Sequence, residues 1–248
     1  MKKPLLVAGT QNPESKDAST VHDAPSAVQS ALYKVVPAFL MKQRSIVLNT
    51  GVAAGWTYAT LCFMDAIGMR TPNQRLIPPS SRSLLFICFG NIMRSPMAEA
   101  LMKRALKDAK LESQIEVASA GLHALAGREA HPWALEAADS LGISLIHHRA
   151  KPLTRDMVER ADCIFVMDFQ NKAELMTLYP EVKSKIYLLS AYAEGRGRYR
   201  EISDPYLGNL EITKSCYREL QTCIRNLMES TFLAVTDVSA DHVSSASP

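Results

Sequence analysis

Five residues, Phe89-Gly90-Asn91-Ile92-Met93, separate Cys88 from Arg94, and Ser95-Pro96 follow directly. A thiol and a guanidinium at this spacing suit attack of a thiolate on a bound phosphate. The planar fork of Arg94 can grip two phosphate oxygens. The field that holds the anion also favours the thiolate of Cys88 over the thiol, which makes it a nucleophile. Ser95 could donate its hydroxyl to that sulfur and later ease its departure. Gly90 and Asn91 tolerate left-handed backbone angles, so the loop can curl and turn successive N–H groups inward. Cys-x5-Arg alone is a frequent chance match. Taken singly, Cys88 reads as a buried strand cysteine and Arg94 as a solvated helix-start residue. Gly-Asn and Ser-Pro at their offsets, between a strand-like run and a helix start, carry the functional reading.

Expelling a phenolate or alkoxide needs a proton donor. Glu201-Ile202-Ser203-Asp204-Pro205-Tyr206 supplies a candidate, Asp204, on a loop expected to open on the same sheet edge as Cys88. Pro205 restricts the backbone of Asp204, and Tyr206 could wall a substrate ring. By itself Asp-Pro reads as a turn; beside Cys88 it reads as the acid.

The elements that must hold these residues alternate along the chain. Apolar runs at Leu84–Phe89, Gln114–Ser119, Cys163–Met167 and Lys185–Leu189 read as strands. Pro96–Lys110, Pro132–Leu141, Asn171–Leu178 and Glu211–Glu229 read as helices. Ser95 reads as the N-cap of the first helix with Pro96 at its first position, Gly142 as the left-handed end of the second, and Pro180 as the stop of the third. The expected fold class is α/β: a four-stranded parallel sheet with helices on both faces, plus a mostly helical or disordered N-terminal extension. A helix N-terminus after a strand is an anion site, which places the Cys88 loop where phosphate binds.

Residues 1–80 read as an extension, 81–231 as the catalytic domain and 232–248 as a flexible tail. The first 31 residues are rich in Ser, Ala, Asp and Pro and read as disordered, and 73–83 reads as a linker. Ser45–Met64 carries no charge and is about long enough to span a bilayer. Its polar Ser45, Asn49, Thr50, Thr57 and Thr60 favour instead a helical segment packed on the domain or on a partner. With 47% apolar and 21% charged residues the chain reads as soluble and globular. A net charge of +3 gives no case for a nucleic-acid partner. The five cysteines form no paired framework, so neither a zinc site nor disulfides are expected. No secretory signal is evident, and the expected location is cytoplasmic.

From Leu84 to Glu229 the sequence resembles the low-molecular-weight protein tyrosine phosphatases. The phosphate loop and Asp204-Pro205-Tyr206 carry the resemblance. Ser119-Ala120-Gly121 and Val166-Met167-Asp168 also fit, and the bacterial members linked to tyrosine kinases of polysaccharide export match best. The resemblance implies that Cys88 forms a phosphocysteine and that Arg94 binds phosphate. It implies that Asp204 protonates the leaving oxygen and then activates water. Phe89, Gly90, Asn91, Ile92, Met93 and Ser95 would form the phosphate cradle, and Phe89, Leu125 and Tyr206 would line a ring slot. Asn91, Ser95, Ser119 and His148 would brace the loop, although His147 stands beside His148 and could take its place. No cofactor or metal is implied. The partner implied is a phosphotyrosine protein, such as a tyrosine kinase of polysaccharide export.

Many family members have a second loop cysteine where this chain has Met93. Without it, peroxide is expected to drive Cys88 further up the oxidation ladder. Two other readings share the motif. An arsenate reductase would need a reductant and a cysteine relay that Cys163, Cys216 and Cys223 do not suggest. A non-catalytic phosphate-binding module would have no use for Asp204.

Overall fold

The computed structural model describes residues 38–67, 77–193 and 201–233. The expected disordered segment 1–31 lies outside the described residues, as do 73–76 of the linker and 234–248 of the expected tail 232–248. Phe232, at the head of that tail, is instead buried in the core, because its apolar ring continues the packed face of the last helix. The chain divides into two units, Met1–Met41 and Lys42–Pro248, and the sheet lies in the second.

Among the described residues two helices come first, α1 (Ala38–Thr50) and α2 (Val52–Ala66). Then come β1 (Ser83–Cys88), α3 (Arg94–Asp108), β2 (Glu116–Gly121), α4 (Pro132–Asp139), α5 (Arg155–Arg160) and β3 (Cys163–Val166). The series closes with α6 (Phe169–Leu178), β4 (Ile186–Leu188) and α7 (Leu210–Met228). The four strands are parallel in the order β2-β1-β3-β4, so the expected α/β sheet is the one found.

Strand periodicity explains the two cores. Leu84, Phe86 and Cys88 pack on one face with side chains of α3, α4 and α7. Leu85 and Ile87 turn to the other, where Ile164 and Val166 of β3 meet α5 and α6. Phe86 and Phe165 stack across neighbouring strands at 5.2 Å. The second face also takes Ile46, Ala54 and Tyr58 from α1 and α2. The uncharged segment 45–64 therefore packs on the sheet domain, and among the described residues no helix is long and apolar enough to cross a membrane.

Most element boundaries shift by one or two residues from expectation, and two of these shifts bear on the site. β2 runs two residues later, because its register pairs Gly121 with Cys88 at the strand ends. α3 begins at Arg94 rather than Pro96, with Met93 at the N-cap and no side-chain cap. Ser95 is thus not the cap: it lies in the first turn, and its hydroxyl is held by the loop. The six-residue α5, capped by the Thr154 hydroxyl, is too short for its periodicity to show. Gly142 does take the left-handed conformation after α4, at φ 67°.

Lys172 on α6 is only 5% exposed. Burial drives its ammonium pKa from 10.5 down to about 8. The unfolded chain keeps this proton up to about pH 10.5, whereas the folded chain releases it near pH 8, so the charge opposes folding below pH 8. Stability then rises with pH across that window. Lys172→Met is expected to stabilise the protein by roughly 3 kcal/mol at pH 7, with the gain fading toward pH 10.5. Urea unfolding at pH 7 and pH 10 checks this; a gain independent of pH contradicts it.

Candidate active site

β1 delivers Cys88 to the carboxyl end of the sheet, and α3 starts at Arg94, leaving 89–93 as the loop. Asn91 alone in this loop takes a positive φ, of 52°; Gly90, of which the same was expected, does not. The turn brings the Asn91 backbone N–H to Cys88 Sγ at 3.3 Å. Ser95 Oγ lies 3.0 Å from the same sulfur. Both groups can donate to a thiolate, and among the described residues no base contacts the sulfur.

The Asn91 side chain pins the loop from behind. Its Nδ2 donates to Ser95 Oγ and to Ser119 Oγ, each at 2.9 Å. Its Oδ1 accepts from the Lys151 N–H at 2.8 Å. The Ser119 hydroxyl donates in turn to Glu99 Oε2 at 2.6 Å. His148, rather than His147, meets the loop: its Nε2 donates to the Asn91 carbonyl at 2.7 Å, and burial pushes its pKa below the usual range. Gly121 permits the close approach of β2, since a Cβ there would stand 2.8 Å from Asn91 N.

Arg94 is 2% exposed. Its Nη1 donates to Asp168 Oδ2 at 2.6 Å and to the Ile202 carbonyl at 2.9 Å, and its Nη2 donates to Asp204 Oδ2 at 2.6 Å. Burial alone would lower the guanidinium pKa, but Asp168, Asp204 and Cys88 outweigh it and raise it. Asp168 enters the sequence reading only as the end of a matching motif, with no role at the site. Its other oxygen accepts the Asn171 N–H at 2.7 Å and caps α6, so one carboxylate joins the helix end to the arginine. The signal available was an aspartate directly after the apolar run of β3. Asp204 is less fixed: its side chain is 42% exposed, and its Oδ1 accepts from Tyr206 N at 3.2 Å.

The expected ring-slot residues have unequal surroundings. Leu125 is 68% exposed, which excludes simple core packing, and Tyr206 is 43% exposed. The His131 ring meets Tyr206 edge-on at 5.6 Å, and Arg128 stands 6.0 Å over it. Phe89 lies against the His123 ring at 4.5 Å. Ile92 and Met93 send their side chains into the core, so only their backbones remain for a ligand. Cys163, Cys216 and Cys223 are buried and free, and burial pushes the last two thiols up to about 12. Among the described residues, no group of His, Cys, Asp or Glu is placed to hold a metal ion.

Residues 83–237 match the family model described as low molecular weight phosphotyrosine protein phosphatase. The chain is 36% identical over 140 residues to a probable low molecular weight protein-tyrosine-phosphatase, EpsP, of Ralstonia nicotianae, covering 56% of this chain and 89% of the relative. It is 34% identical over 144 residues to a protein-arginine-phosphatase of Bacillus subtilis, covering 58% and 93%. Among solved structures, the tyrosine phosphatase Wzb from Escherichia coli K30 in complex with sulphate is similar with a TM-score of 0.54 and 29% identity. The likeness covers 60% of this chain and 98% of that one.

Proposed function

The chain belongs to the low molecular weight phosphotyrosine protein phosphatase family, and from that premise we propose that it hydrolyses phosphotyrosine in proteins through a phosphocysteine on Cys88. The observation that carries the reading is the sulfur's setting: Asn91 N–H at 3.3 Å and the Ser95 hydroxyl at 3.0 Å, with Arg94 and Asp204 paired at the same end of the sheet.

In the first step the Cys88 thiolate attacks phosphorus and the tyrosine oxygen departs, taking a proton from Asp204. In the second, Asp204 accepts a proton from water as that water attacks the phosphocysteine. The thiolate leaves, received by the Asn91 N–H and the Ser95 hydroxyl. Arg94 has two roles split between its nitrogens. Nη1 is anchored by Asp168, while Nη2 can exchange Asp204 for a phosphate oxygen; the released carboxylate, 42% exposed, takes up a proton from solvent and then serves as the acid toward the leaving group. Phe89, Leu125 and Tyr206 receive the ring. The backbone of the 89–93 loop cradles the phosphate, and Ser119 and His148 keep it in shape.

Family membership leaves phosphotyrosine and phosphoarginine to be distinguished, since both activities occur in the names of relatives near 35% identity. Aromatic and apolar walls favour a flat, uncharged ring, and Arg128 over Tyr206 disfavours a cationic guanidinium. The expected result is a kcat/KM at least about 100-fold higher for a phosphotyrosine peptide than for the matched phosphoarginine peptide. The reverse preference overturns the assignment and leaves the phosphatase reading intact. The partner is then a phosphotyrosine protein, and a tyrosine kinase of polysaccharide export is the class to test first.

A further inference from the structure

Glu174 on α6 is a carboxylate with no exposure. Such an ion is tolerated only where donors replace its water, and three do. Gln170, one turn earlier on the same helix, donates from Nε2 to Oε1 at 3.0 Å. Thr50, the last residue of α1, donates from Oγ1 to Oε2 at 2.8 Å. His123, on the loop after β2, places Nε2 2.6 Å from the same Oε2. The His123 ring then lies against Phe89 at 4.5 Å, and its backbone N–H donates to the Phe89 carbonyl at 2.8 Å. Phe89 follows the nucleophile directly and forms one wall of the ring slot. A single buried carboxylate therefore ties the N-terminal helix pair to the mouth of the phosphate loop.

A second contact lies close by. Tyr58 of α2 is 3% exposed. Burial, Cys62, Glu201 and Asp168, in that order, raise the pKa of its hydroxyl. Tyr58 shares a core with Phe169, the first residue of α6 and the neighbour of Asp168.

We propose that Thr50, Glu174 and His123 form a positioning relay through which helices α1 and α2 set the fit of Phe89 to a substrate ring, so that the N-terminal segment is part of substrate recognition. The proposal rests on the reading of Phe89 as a slot wall. None of the three belongs to the 89–93 loop, and the contacts on the sulfur come from Asn91 and Ser95. Losing the Thr50 hydroxyl leaves the carboxylate short of a donor, and the side chain free to respond is His123, which is 28% exposed. A shift of that ring moves its stacking partner Phe89. Aromatic substrates feel this; a ringless phosphate does not.

Thr50→Val keeps the shape of the side chain and removes the donor. The test compares kcat and KM for a phosphotyrosine peptide with those for acetyl phosphate, which has no ring. For Thr50→Val the peptide KM is expected to rise about five-fold while kcat/KM for acetyl phosphate stays within about two-fold of the parent. Thr50→Ser is expected to restore the parental ratio. An unchanged ratio of the two kcat/KM values in Thr50→Val, whether both fall together or neither moves, overturns the relay. Should Thr50→Val fail to fold, His123→Leu leaves α1 intact and must lower the same ratio; if it does not, the relay is likewise overturned. Failure of the underlying phosphatase reading looks different: acetyl phosphate would then be turned over equally by the parent and by Cys88→Ser.

Discussion

Cys88→Ser is expected to hydrolyse p-nitrophenyl phosphate at less than about one ten-thousandth of the parental rate. The reason lies in what surrounds the sulfur. A backbone N–H and a hydroxyl can receive a sulfur anion, but neither removes a proton. A serine hydroxyl in the same place is a much weaker nucleophile than a thiolate, and among the described residues no base contacts it. The substitution removes little volume from a residue 3% exposed, so circular dichroism and the thermal midpoint are expected to match the parent. Steady-state rates on purified protein check the prediction, and comparable rates for the two proteins contradict it.

Asp204→Asn is expected to give the second-largest loss, and the loss depends on the leaving group. For phenyl phosphate, whose phenolate needs a proton, kcat/KM is expected to fall about 1,000-fold. For p-nitrophenyl phosphate, whose anion departs unaided, the fall in kcat/KM is expected to be about ten-fold or less. The variant also loses the ionic partner of Arg94 Nη2, yet Asp168 and the Ile202 carbonyl still hold Nη1, so the arginine keeps its place. An equal loss with both esters would mean that Asp204 serves only to position Arg94. A series of substituted phenyl phosphates measures the dependence directly.

Legibility in the chain depends on whether a feature is contiguous. The phosphate loop is one stretch of sequence, and strand, glycine, asparagine and helix start confirm one another within it. The sheet is equally legible, because four apolar runs separated by helix-like segments admit few arrangements. Ser95 misleads only as a cap: its hydroxyl, expected at the Cys88 sulfur, lies there, but Ser before Pro is also a capping pattern, and only the fold shows that Met93 holds the N-cap position. Asp168 and Arg94 are 74 positions apart, and Thr50 and Glu174 are 124 apart. No local pattern marks such pairs. The segment 45–64 is ambiguous as sequence because an uncharged helix can be buried by lipid, by a partner or by its own domain. Tyr58 and Ala54 meeting Ile87 and Phe169 in one core place one face of the segment on its own domain, and that meeting is a property of the tertiary fold; Leu48, Val52, Trp56 and Phe63 stay exposed.

The most direct test is to identify the phosphorylated atom. The protein is mixed with p-nitrophenyl phosphate, denatured rapidly during turnover, digested and mapped by mass spectrometry. The expected result is phosphate on the peptide containing Cys88, borne on its sulfur, and its absence from Cys88→Ala. Phosphate carried by another residue during turnover, or an equal signal in Cys88→Ala, contradicts the account.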